Sequence, residues 1–128
     1  MFIESSSESA YPEINITNKN PFVKGGDNII FDIQYSGDTA NVWLNPKSIV
    51  LEGFVGTIGV HKADDRTVSI TVKNIDTNDL TTPKYIRITG GTAISSTGKL
   101  SDDMLSDVFS MQRTDYEKFI LILFDISG

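Results

Sequence analysis

The segment Arg66–Asn74, RTVSITVKN, alternates without a break: Val68, Ile70 and Val72 share one face, and Thr67, Ser69, Thr71 and Lys73 share the other. Successive side chains of an extended chain point to opposite faces, so a period of two marks a strand with one side in a core and one in water. The β-branched residues on both faces suit that conformation. A single such strand cannot stand alone, because its backbone N–H and C=O groups are satisfied only by neighbours and an isolated hairpin is marginal at best. The rest of the chain must therefore supply a sheet.

It does so in the same idiom. Asn28–Ser36 sets Ile29, Phe31, Ile33 and Tyr35 against Asp32 and Gln34, with Ile30 the one break in the pattern. Lys84–Thr89 turns Ile86 and Ile88 inward and Tyr85, Arg87 and Thr89 outward, and Ser48–Glu52 and Val55–Val60 add shorter β-rich pieces. Turn signals at Lys24–Asp27, Ser36–Asp38, Asn45–Pro46, Lys62–Asp65, Asp76–Pro83 and Gly90–Gly91 separate them at roughly 8–12-residue intervals, the spacing of a sandwich or barrel. Helix signals are few. Ser101–Phe109, SDDMLSDVF, offers Ser101 as a cap with Asp102 and Asp103 in the first turn, and predicts a short helical insert. Thr114–Glu117 has capping-box spacing ahead of the apolar run Phe119–Phe124, yet six successive bulky positions fit a strand better than a helix with a wet face.

With 128 residues the chain suffices for one core, divided here into an N-terminal arm, residues 1–18, and a folded domain, residues 19–128. A net charge of −6, with 11 scattered basic residues, argues against nucleic acid, whose binding draws on clustered Lys and Arg. The absence of Cys excludes disulfides, thiol catalysis and Cys-based zinc sites. The N-terminal sequence lacks the basic and apolar regions of a signal peptide. Phe119–Phe124 is far shorter than the roughly 20 residues of a spanning helix, so no membrane insertion is expected.

The order of the segments resembles a bacterial immunoglobulin-like domain of the Big type, as found in Gram-positive surface proteins and bacteriophage structural proteins. The resemblance covers about Pro21 to Asp102. It is carried by PFVKGGD at Pro21–Asp27, IVLEGFVG at Ile49–Gly56, RTVSITVKNI at Arg66–Ile75 and YIRITGGTAISSTGKL at Tyr85–Leu100. It implies an immunoglobulin-like Greek-key β-sandwich of about seven strands, the architecture that the alternation also favours. Two departures stand out: residues 103–115 are extra, and the final strand is unusually apolar. The family supplies no catalytic residues, since its members are spacers, adhesive modules or assembly elements.

Individual residues add little chemistry. His61, the sole histidine, sits at a strand end without a nucleophile motif and reads as a solvated turn residue. Asp64 and Asp65, Asp76 and Asp79, and Asp102, Asp103 and Asp107 could offer oxygen ligands to calcium, but none has EF-hand spacing and solvated loop charge is the better reading. A crosslink from Lys24 to Asp125, on the model of Lys-to-Asn isopeptides, is a remote option. Trp43 lies between Val42 and Leu44, and either register remains open: Trp43 in the core, or Trp43 outward as an anchor for a protein or a sugar. The apolar run is the most informative site. Phe119, Leu121 and Leu123 share one face and Ile120, Ile122 and Phe124 the other, so one set can fill the domain's core while the second needs separate cover, from the N-terminal segment, the 104–109 insert or another subunit.

The expected function is accordingly a non-catalytic structural or assembly protein without cofactor or metal, a bacteriophage virion component such as a capsid decoration or tail accessory subunit. It would be made in the host cytoplasm and contact itself or other virion proteins through Phe119, Ile120, Leu121, Ile122, Leu123, Phe124 and Trp43. The alternative is an adhesive or spacer module of a bacterial surface protein, with carbohydrate as a possible ligand.

Overall fold

The computed structural model describes residues 10–112. Eleven strands alternate with turns, and the sole helical element among the described residues is a single 3-10 turn, Pro46–Ser48, capped by Asn45, whose side chain accepts from the Lys47 N–H. The larger sheet is built around β3 (Ile29–Gly37) and β7 (Thr67–Asp76), with β1 (Pro12–Asn18) outside β3 and β6 (Val55–Lys62) outside β7, in the order β1-β3-β7-β6. A second sheet has the order β10-β8-β5, from β5 (Ile49–Glu52), β8 (Tyr85–Ile88) and β10 (Met104–Leu105). Two short ladders join β4 (Asn41–Val42) to β9 (Ala93–Ile94) and β2 (Phe22–Lys24), in parallel, to β11 (Ser110–Gln112).

The alternation seen in the sequence is the burial pattern of the sheet. Antiparallel pairing places Ile29 opposite Val72, Phe31 opposite Ile70 and Ile33 opposite Val68, all essentially without solvent contact. Tyr35 lies on the same face. From the second sheet Ile49, Ile86 and Ile88 join the same cluster, together with Phe54, Ala93, Phe109 and Met111. Phe109 meets both Phe31 and Phe54 edge-on, with centroids 6.2 and 5.0 Å apart. Burying each such side chain contributes roughly 1.5–3 kcal/mol, so this common face is the main source of stability. Ile30, the break in the pattern, points to the outer face and is partly exposed.

Two local features shift the phase of the strands. Between Val55 and Thr57 the β6–β7 register slips, and Asn74, across the slip, adopts a positive φ of 53°. A bulge of this kind sends the next residue to the other face, so Ile75 enters the core three positions after Val72 instead of two. Residues 12–18, on the arm side of the expected domain boundary, form β1: all seven pair with β3, and Ile14 and Ile16 pack against the core margin.

The predicted helical insert at Ser101–Phe109 is absent. Met104 and Leu105 pair with Ile88 and Arg87, and Ser106 and Phe109 continue the ladder through N–H bonds to the Ile86 and Lys84 carbonyls. The side chains that could have capped a helix are committed elsewhere: the Ser101 hydroxyl accepts from the Thr92 and Ala93 N–H groups, the Ser106 hydroxyl from Ile86, and Asp103 from Gly90. Short polar side chains that bond the backbone compete with helix, and here tertiary partners win.

Gly53 carries the chain from one sheet to the other at φ +83°, where an added Cβ would run into the Pro83 carbonyl oxygen and the Lys84 side chain. Gly98 has a similar φ, +91°, but open space around it. Gly98→Ala should therefore cost about 1 kcal/mol through backbone strain alone, and Gly53→Ala about 3 kcal/mol or more. Chemical denaturation of the two variants checks this; equal losses would show that the Pro83 contact is not the constraint.

Candidate functional site

The residues singled out by sequence are dispersed. Phe119–Phe124 and Asp125 lie outside the described residues. Val42 and Leu44 are buried and Trp43 is 41% exposed, so of the two registers left open the outward one is found. The Trp43 backbone is pinned by its N–H to the Thr92 carbonyl, and Lys62 bonds the carbonyl of Val42 next to it. His61 is exposed on β6, opposite Ser69. No three His, Asp or Glu side chains among the described residues gather as a metal-holding group.

Several of the acidic side chains have structural tasks. Asp64 accepts from the Arg66 N–H in the β6–β7 turn, and that contact, with the Thr67 hydroxyl, lowers its pKa. Asp103 bonds the Gly90 N–H at 2.6 Å and pairs with Arg87 at 3.5 Å, tying the 101–103 segment to the end of β8. Asp38 accepts from the hydroxyl and N–H of Ser96, which lower its pKa and join two loops far apart in sequence.

Asp76–Pro83 is the most elaborate loop. With Gly53, Phe54 and Val55, residues Asp76 to Asp79 line an open cleft of about 340 Å3. Most of its hydroxyl and carboxylate groups are engaged within the loop. The Thr77 hydroxyl donates toward the carbonyls of Gly53 and Asp79, and the Asp79 carboxylate accepts from the Thr82 hydroxyl and from both the hydroxyl and the N–H of Thr81. Lys84, 1% exposed, anchors the loop from below by donating to the Asp79 and Thr82 carbonyls. Parity sets this lysine, just before β8, on the inward side with Ile86 and Ile88, where a lysine is not expected, and only the loop's carbonyls make that position tolerable. The cleft pairs no nucleophile with a base, and His61 is not part of its lining.

What the sequence reading passed over is an apolar margin along the second sheet. Leu100, Met104, Leu105 and Val108 are 54%, 36%, 51% and 64% exposed. Phe22, on β2 beside Ser110, is 75% exposed. Met104, Leu105 and Val108 fall within Ser101–Phe109, where a helix is predicted that would turn some of them inward; in the extended chain found here they stay at the surface. Large side chains collected on one margin mark a surface suited to another protein.

A comparison with protein-family models and one with curated proteins each found no match.

The Thr82 hydroxyl, then the Thr81 hydroxyl and N–H, hold the Asp79 carboxyl well below its ordinary value of 3.8. A carboxyl whose pKa is depressed in the folded state contributes stability above its unfolded pKa, and that contribution fades as the pH falls. The loop should therefore loosen from about pH 4 downward, and Asp79→Asn should flatten that part of the stability–pH profile. Amide exchange of residues 77–84 between pH 6 and pH 3 checks this; a profile that Asp79→Asn leaves unchanged would exclude the carboxylate as its cause.

Proposed function

We propose that this chain is a non-catalytic assembly protein built on an immunoglobulin-like sandwich, a bacteriophage virion component such as a capsid decoration or tail accessory subunit. Strand order supports the fold. The orders β1-β3-β7-β6 and β10-β8-β5 correspond to the ABED and CFG sheets of a constant-type immunoglobulin domain. In this reading β2 adds a short parallel pairing with the last strand through β11.

The observation that carries the functional reading follows from that order. In this reading residues 12–112 supply strands for all seven positions of such a sandwich, with Met104–Gln112 as its closing strand. Phe119–Phe124, apolar on both faces of a strand, is therefore not needed to complete this core. Three large side chains left in water on either face would forgo several kcal/mol, so such a segment is retained for contact with another surface. A virion subunit uses segments of this kind to bind neighbours, whereas an enzyme would need an assembled set of reacting groups.

Exposure of Trp43 favours a second reading, an adhesive or spacer module of a bacterial surface protein that stacks this ring on a sugar. The two readings part experimentally. For the assembly protein, the chain should self-associate or co-sediment with particles at micromolar concentration, and Ile122→Asp should abolish this while leaving the melting temperature of the domain within about 2 °C, as a change outside the core does. A strictly monomeric chain whose stability drops on Ile122→Asp would mean that the run belongs to its own core and would sink the proposal.

A further inference from the structure

We infer that the outer edge of β10 is the seat for Phe119–Phe124 of a second copy of the chain, which adds there as a strand; the inference rests on the assembly reading above and names the surface that it uses. Met104 and Leu105 are successive residues and so lie on opposite faces of β10, yet both are exposed. An edge that presents an apolar side chain on each face calls for a partner strand that is apolar on both faces. Phe119–Phe124 has that property, with Phe119, Leu121 and Leu123 on one side and Ile120, Ile122 and Phe124 on the other. Added at this edge, it places apolar cross-strand neighbours beside Met104 and Leu105 on both faces at once. Leu100 and Val108 extend the apolar surface on either side along the chain.

Among the described residues the edge is open where it matters. β10 is the terminal strand of its sheet, with β8 on its inner side. Farther along, the outer side is taken by β2, through the bonds Ser110 N–H to Pro21 O and Gly25 N–H to Gln112 O. Before Pro21 the chain has left this sheet, since Lys19 N–H bonds Ile30 O beside the end of β1. Among the described residues, no strand lies beyond β10 at Met104 and Leu105.

The position of β2 also decides between the chain's own segment and that of a second copy. A hairpin returning directly from Gln112 would have to occupy the outer side of Ser110–Gln112, which β2 already holds. The intervening residues, Arg113-Thr-Asp-Tyr-Glu-Lys118, contain no Gly, Asn or Pro, and Asp115 is the single turn-favouring residue among them. By contrast, Gly26, Gly91 and Gly98 sit at loop positions with positive φ in the described part of the chain. A second copy delivers its segment from outside with neither obstacle, and the exchange is reciprocal about a two-fold axis.

The chain has no Cys, so engineered thiols report the contact without background. Leu105→Cys and Ile122→Cys, prepared as separate single variants and mixed under mild oxidation, should give a covalent heterodimer joined 105 to 122. Wild type should sediment as a dimer, and Leu105→Lys, which charges the edge without touching the core, should raise its dissociation constant at least about tenfold with the melting temperature unchanged. A disulfide formed within single molecules of the double variant at high dilution would overturn the inference in favour of the chain's own segment. A dimer indifferent to Leu105→Lys but lost on Ile122→Asp would place the seat elsewhere and leave the assembly reading intact. Indifference to both substitutions would remove the seat and that reading together.

Discussion

The pairing of β3 with β7 is the interaction on which the rest of the structure depends. Its inner face, Ile29, Phe31 and Ile33 opposite Val72, Ile70 and Val68, is sealed from water, and every other element is positioned by covering or extending it. β1 and β6 widen it, and their inward residues, Ile14, Ile16, Ile58 and Val60, are half-buried because the smaller second sheet does not reach fully over the margins. The bulge at Asn74 brings Ile75 into the same core, and Ile75 exchanges backbone bonds with the Gly26–Asp27 turn, so the end of β7 is coupled to the entry into β3. A one-residue slip would turn this whole apolar face into water, which fixes the register strongly.

Over this hydrophobic spine lies a set of buried hydroxyls that fixes the course of residues 89–106. The Tyr35 hydroxyl meets Thr92 Oγ1 at 2.7 Å, and Thr92 in turn lies 3.3 Å from Ser101 Oγ, which receives two backbone N–H groups. Burial pushes the Tyr35 hydroxyl above its ordinary pKa, while the Thr92 contact pulls in the opposite direction. Buried hydroxyls left without partners would be costly, and this chain of contacts satisfies them while it ties the 89–106 segment to the large sheet. Lys84 answers the same demand by another means. Its ammonium group is held by backbone carbonyls of the loop it supports, so the loop and the buried charge depend on each other. That mutual dependence accounts for a structured loop of polar residues whose cleft carries no set of reacting groups.

Much of the core architecture was legible because alternation is a local property. Val68, Ile70 and Val72, or Ile86 and Ile88, declare their faces whatever the rest of the chain does, since the direction of a strand side chain follows from position parity alone. Ser101–Phe109 misled for the complementary reason. Its Ser and Asp residues are equally good at capping a helix and at satisfying N–H groups of other strands, and only the presence of Gly90, Thr92 and Ile86 nearby decides between the two. The exposed margin at Met104, Leu105 and Val108 was missed with it, because a segment assigned to the wrong element cannot show its true surface.

By itself, then, the sequence determined that this protein is made of strands, which residues face inward along the longest of them, and that the six-residue run Phe119–Phe124 is apolar at both parities. Those are consequences of periodicity and composition. Only the tertiary structure decided the strand order, the outward setting of Trp43, the burial of Lys84 and the assignment of Met104–Gln112 to the edge of the second sheet. Each of these depends on which distant backbone groups come within hydrogen-bonding reach, and no local pattern encodes that.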